Sequence, residues 1–304
     1  MRILQVLSFY LLLGTTVFGQ AASRLDSLRQ DLEQYDVGDT LRFKTLALLW
    51  RSTVNNDLSG SINYGRQLLR EAVGSNNEEW TAVGNRFLGI SQDYLGKSDS
   101  SLYHYAQALP YYRATNNILQ SGVLLFNTAI IHQDLGGVDS AKYYLSLADS
   151  CFVDPAYLIQ RSAVNKLRAT IEREQGNEDD AVRFASKAYE LAREGKDSSR
   201  MADAEQEIAF AYQGLNDYQT SAAYFKRSLE FYERNNDTYF ALVSLVNLAT
   251  CYQAMDSLEQ AIAYGERGLS FLEIGGMGDL EVDFRNTLGN IYWKAKNYLK
   301  AEDQ

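Results

Sequence analysis

Seven small residues stand 40 positions apart along this chain: Ser61, Ser101, Ala141, Ala181, Ser221, Ala261 and Ala301. A period that never slips means one structural unit repeated, and a unit of 40 residues cannot bury its own apolar face. Each copy must therefore stack on its neighbours. Twelve positions before this marker stand Leu49, Gly89, Ala129, Ala169, Ala209, Ala249 and Gly289, nearly all small. Small side chains let two backbones approach, so both columns are expected where the two helices of a pair cross.

Other columns punctuate the unit. Five before the marker come Asn56, Gly96, Gly136, Gly176, Asn216 and Asp256. These residue types tolerate left-handed conformations or turns, as a tight turn between helices demands. Asn76, Asn116, Asn236 and Gly276 recur as breaks between units. Three after the marker a ring stands in successive copies: Tyr64, His104, Tyr144, Phe184, Tyr224 and Tyr264, which absorbs part of the 21 tyrosines. Two prolines in 304 residues favour long helices. Pro110, inside a second helix, is expected to kink or shorten it. The fold class is all-α: an α-α superhelix of about seven helix hairpins, the last incomplete.

Leu288, Gly289, Tyr292 and Ala301, like Leu248, Ala249, Tyr252 and Ala261, carry a leucine-glycine-tyrosine-alanine pattern that resembles the tetratricopeptide repeat family. The resemblance runs from about Leu41 to the end. It departs from the family in its period, 40 instead of the usual 34, and in lacking the closing proline. Six added residues lengthen the helices by up to roughly 9 Å in total. Before the array, Leu25, Leu28, Leu32 and Tyr35 share one helical face, so residues 22–40 read as a capping helix and residues 41–304 as the array.

Met1 and Arg2 precede an apolar run from Ile3 to Phe18 and small residues at Gly19, Ala21 and Ala22, the pattern of a secretory leader over residues 1–21. Nothing later is apolar enough to cross a bilayer. Without Arg2 the chain keeps 28 basic against 39 acidic residues, a net charge of −11. That balance argues against nucleic acid or an anionic membrane as the main partner. Cys151 and Cys251 are placed by the repeat roughly 25 Å or more apart, beyond disulfide reach. His104 and His132 fall where rings otherwise pack, and Gly275 to Gly278 lacks the strand and lysine of a phosphate loop. No catalytic, metal or cofactor site is expected.

The resemblance implies a concave side lined by the first helices and suited to a protein or peptide. Facing it are expected Trp50, Arg86, Asp93, Phe126, Gln133, Lys166, Arg173, Gln206, Phe210, Gln213, Gln253, Asn286, Asn290 and Trp293. Lys166 and Arg173, two helical turns apart, form a cationic stretch there that invites a ligand carboxylate; the alternative is that Glu172 and Glu174 pair with Arg173 at the surface. Leader, capping helix and long-period array together resemble the exported sensory region of Bacteroidota histidine kinases and DNA-binding regulators. A free-standing exported adaptor is the alternative. In the incomplete last repeat, Ile291, Tyr292, Ala295 and Tyr298 are expected to lack a full partner helix, inviting fraying and weak self-association. The leader reading is checked by mass: the mature protein is expected to begin between Gln20 and Ala22, and intact Met1 on cytoplasmic protein would rule out export.

Overall fold

A computed structural model describes residues 18–272, 278–296 and 300–301, so most of the expected leader, Gly276 and Tyr298 lie outside the described residues. The chain divides into two compact units. The first holds α1 (Phe18–Gln34), α2 (Thr40–Thr53), α3 (Leu58–Gly74), α4 (Glu78–Tyr94), α5 (Ser98–Ala114), α6 (Ile118–Asp134) and α7 (Val138–Cys151). The second holds α8 (Leu158–Glu174), α9 (Glu178–Glu194), α10 (Ser198–Gly214), α11 (Tyr218–Arg234), α12 (Thr238–Ala254), α13 (Leu258–Leu272) and α14 (Gly278–Lys294). Within each unit consecutive helices pack on one another, and the described residues contain no strand. The all-α class and the hairpin stacking are as expected.

The period comes from the turns. From α3 to α6, and again from α8 to α12, helices of 17 residues alternate with turns of three, so a hairpin and its connection occupy 40. The middle turn residue is left-handed in every case: Asn76, Gly96, Asn116, Gly176, Lys196, Asn216 and Asn236 all have φ between 53° and 76°. The third residue does two jobs. Its N–H closes the preceding helix, as from Asn77 to the Ala72 carbonyl (2.9 Å) and from Asp237 to that of Tyr232 (2.8 Å). In five of the seven turns its side chain also caps the next helix, Asn77 accepting from the Trp80 N–H at 3.1 Å and Asp217 from the Thr220 N–H at 3.0 Å, while Lys97 and Asn177 make no such bond.

Two positions stand apart from this pattern. Asn56 has no left-handed backbone: α2 ends at Thr53, whose carbonyl takes the N–H groups of both Asn56 (3.1 Å) and Asp57 (2.7 Å). Pro110 does not shorten α5, which runs its full 17 residues. The closing bond from Asn117 N–H to the Tyr112 carbonyl (2.8 Å) holds the last turn beyond the proline.

The small columns do meet. The Ser101 hydroxyl donates to the Gly89 carbonyl at 2.7 Å, and that of Ser221 to the Ala209 carbonyl at 2.8 Å. A Cβ on Gly89 would collide with the buried ring of Tyr105, so the crossing requires glycine there. The ring column stacks on the first helix of its own pair: Tyr224 on Tyr212, Tyr264 on Tyr252, and Tyr144 on His132 with centroids 5.1 Å apart. His132 is ring filling. His104 sets Nδ1 2.9 Å from Asn85 Oδ1, and burial pushes its pKa down. Both cysteines are free thiols.

At the ends, Leu25, Leu28, Leu32 and Tyr35 of the first segment are half-buried. Arg42 secures that segment by donating to the carbonyls of Leu32 (2.6 Å) and Tyr35 (3.0 Å) while pairing with both oxygens of Glu71. In the last repeat, Ile291 and Tyr292 are buried, contrary to expectation. Ile291 packs on Ala249 and Ala261 of the preceding hairpin. Tyr292 packs on Leu288 and Phe284 and donates to Glu266 at 2.9 Å; burial, helped by this bond, lifts its pKa to about 12.

Left-handed backbone costs an ordinary side chain on the order of 1 kcal/mol relative to glycine. Lys196, exposed at φ 56°, is therefore expected to gain about 1 kcal/mol on replacement by glycine, and Gly176 (φ 76°) to lose about as much on replacement by alanine. Calorimetric melting of the two variants should move in opposite directions. A shift of the same sign in both would show that the turns do not set stability.

Candidate functional site

The first-helix faces of the two units differ in chemistry. In the first unit, Trp50 is 4% exposed and lies flat on Phe87, with centroids 3.8 Å apart and planes within 3°. Its indole N–H donates to Ser91 Oγ at 3.0 Å, and Ser91 sits 3.1 Å from the Ser61 hydroxyl. These bonds fix the ring as a wall rather than a free surface group. Trp80 stacks on Phe43 alongside. Between α2 and α4 the rings of Trp50, Trp80 and Phe87 border a cavity of about 400 Å³ with Lys44, Arg51 and Arg86. The Arg86 guanidinium lies 5.0 Å over Phe87, a cation–π contact, while its buried Nε has no hydrogen-bond partner. Phe126 and Asp93 are buried and Gln133 is half-buried.

In the second unit the cations are already answered. Lys166 on α8 lies 4.0 Å from Asp203 on α10, and Arg173 lies 3.5 Å from Glu207, an ion pair outside hydrogen-bond geometry. Glu207 also accepts from the Thr170 hydroxyl at 2.8 Å. Asp203 accepts from the Tyr232 hydroxyl at 2.7 Å and stands 3.9 Å from Arg200. Arg173 completes its surroundings 5.2 Å over the ring of Phe210. The cationic stretch expected from Lys166 and Arg173 is therefore an internally neutralised layer, paired to the next first helix. Sequence reasoning missed Asp203 and Glu207. Their signal was present as opposite charges 37 and 34 residues apart, close to one repeat.

Burial governs titration in this layer. It pushes Glu205 upward against the pull of its partner Arg227, and Tyr232 well above its ordinary range, with Asp203 adding to the shift. Asp237 is raised by burial and by Asp203, although the Phe240 N–H opposes this. Gln206 is buried and donates to Ser244 Oγ at 3.0 Å. Gln213 and Gln253 are half-buried, while Asn286, Asn290 and Trp293 are exposed, Trp293 by 65%. Among the described residues no group of histidine, cysteine, aspartate or glutamate could hold a metal, and no helix is long and apolar enough to cross a membrane.

Residues 160–234 and 200–274 each match the tetratricopeptide repeat model. No curated protein matches the chain in sequence. Among solved structures, a Rap protein complexed with competence and sporulation factor superposes with a TM-score of 0.67 at 17% identity, covering 93% of this chain and 84% of that one. NprR in complex with its cognate peptide NprX gives 0.62 at 14%, covering 93% and 81%. Aspartyl phosphate phosphatase F from Bacillus subtilis gives 0.61 at 15%, covering 96% and 94%. At such identities the likeness establishes the fold.

The raised Asp237 carboxyl has a signed consequence. A carboxyl held above its unfolded pKa contributes stability that is full below the ordinary carboxylate range and is lost as pH rises through the raised value. The amide that replaces it in Asp237→Asn would keep an oxygen to cap Phe240 but cannot ionise. Wild type is therefore expected to lose stability relative to Asp237→Asn between about pH 4 and pH 7. Urea midpoints of both proteins across that range measure it, and a constant difference would overturn the assignment.

Proposed function

We propose that this tetratricopeptide-repeat chain is a non-catalytic scaffold for a protein or peptide, serving as the extracytoplasmic sensory part of a signal-transduction protein. The output domain, a histidine kinase or a DNA-binding regulator, lies beyond residue 304 in this reading. One observation carries the binding role: the α2–α4 cavity, where three rings and three cations converge on an opening of ligand size. A pocket with apolar walls and a few charged groups at its rim is what recognition of an extended chain needs. Two structures of the same fold hold a factor or a cognate peptide, which supports the reading without extending their ligands to this chain. Export rests on Arg2 and the apolar run to Phe18.

Two measurements test the proposal separately. Panning a random peptide library against the folded chain is expected to enrich a family of sequences that bind saturably, with Kd of the order of micromolar. Failure to enrich any would remove the scaffold role. Sequencing the adjoining DNA is expected to show the reading frame continuing into a hydrophobic span and an output domain. A stop codon directly after Gln304 would instead assign a free-standing exported adaptor.

A further inference from the structure

We propose that the α2–α4 cavity takes an acidic peptide, seating one aromatic side chain among Trp50, Trp80 and Phe87 while flanking carboxylates meet Lys44, Arg51 and Arg86. The inference deepens the scaffold reading by naming its ligand class, and so rests on it. Charge complementarity chooses the occupant. The chain carries a net charge of −10, yet none of these three cations has an ion pair among the described residues. Lys44, Leu48 and Arg51 follow one face of α2 at four- and three-residue steps, and Leu48 is 39% exposed between the two charges. Arg86 closes the opposite side from α4.

The repeat explains why Arg86 is left over. It occupies the column of Lys166, which finds its acid 37 residues on, at Asp203. The residue 37 beyond Arg86 is Val123, apolar and buried. The same position in the array thus keeps its cation in both units but supplies the counter-charge in the second alone. Arg86 thus lines the cavity with no acid beside it, among the described residues, to offset its charge. The rest of the chemistry follows from the walls. A cavity of about 400 Å³ walled by indole and phenyl rings suits one flat side chain, offering it stacked or edge contacts. Carboxylates on either side would then reach the rim cations, with the two on α2 spaced two helical turns apart.

The chain's three tryptophans provide the readout. In full-length protein carrying Trp293→Phe, fluorescence reports Trp50 and Trp80 alone. Titration with acetyl-Glu-Asp-Phe-Asp-Glu-amide is expected to give a saturable change, weakened several-fold between about 50 and 300 mM salt as the screening length shrinks roughly twofold. The phenylalanine-to-alanine peptide should bind about tenfold more weakly, and acetyl-Lys-Lys-Phe-Lys-Lys-amide should not bind. Arg86→Gln should cost about tenfold, the range of a lost charge-assisted bond. If Arg86→Gln melts early, the exposed pair Lys44→Gln and Arg51→Gln carries the same test. Equal binding of acidic and basic peptides, or acidic binding untouched by the cation variants, would overturn the proposal. Library-selected peptides that bind regardless of these variants would leave the scaffold role standing and move its site elsewhere. No binding by any peptide would sink both.

Discussion

The structure depends on a turn of three residues. Its middle residue is left-handed, its last residue closes one helix, and at every turn but those ending in Lys97 and Asn177 that last residue also caps the next. With no slack between helices, each helix from α4 to α6 and from α9 to α12 begins 20 residues after the one before, and the register of each side chain follows. The marker residues show this directly. Ser61, Ser101, Ala141, Ala181, Ser221 and Ala261 each donate their N–H to the capping residue four positions earlier, at 2.9–3.0 Å. A small residue at that offset falls where the second helix meets the first, and Ser101 and Ser221 add hydroxyl bonds across the crossing. A longer turn would let the crossing slide, and columns of glycine and alanine would lose their reason.

Much of this was legible because turn chemistry is local. Glycine, asparagine and aspartate announce a left-handed position, and six of the seven turns between α3 and α6 and between α8 and α12 carry glycine or asparagine there. Lys196 carries no such signal; it sits at φ 56° because the closures on either side demand it. Asn56 shows the converse. The residue type permits a left-handed backbone, but α2 ends early and the turn closes through Thr53 instead. Propensity states what a residue tolerates, and the neighbouring hydrogen bonds decide what it adopts.

The first-helix faces were less legible, because a face is defined by what the next repeat places against it. Trp50 and Phe126 occupy columns that would be open on an isolated hairpin, and stacking buries them. For Lys166 and Arg173 the sequence offers either a ligand's carboxylate or, at Arg173, the flanking Glu172 and Glu174, since helical neighbours are the obvious partners. The structure pairs them instead with Asp203 and Glu207 on the following first helix. In an array of this period, opposite charges 34 to 37 residues apart on first helices are candidate neighbours. That rule also identifies where such a partner is missing.

Burial of Trp50 does not disqualify it from recognition; it changes the role. An exposed indole must lose rotamer freedom when a ligand arrives, whereas one held by Ser91 and stacked on Phe87 has already lost it. The cost of order is met during folding, within a core that includes Phe43, Leu46 and Tyr105. The cavity wall is thus rigid and apolar while Lys44 and Arg51 at its rim remain exposed. The division separates two functions that compete in a single side chain. Packing fixes the shape of the site, and the rim charges keep the freedom to adjust to a ligand's carboxylates. In the second unit the same columns put charge into the packed layer itself, where Asp203 and Glu207 stand 4.0 and 3.5 Å from Lys166 and Arg173 and offset their charge.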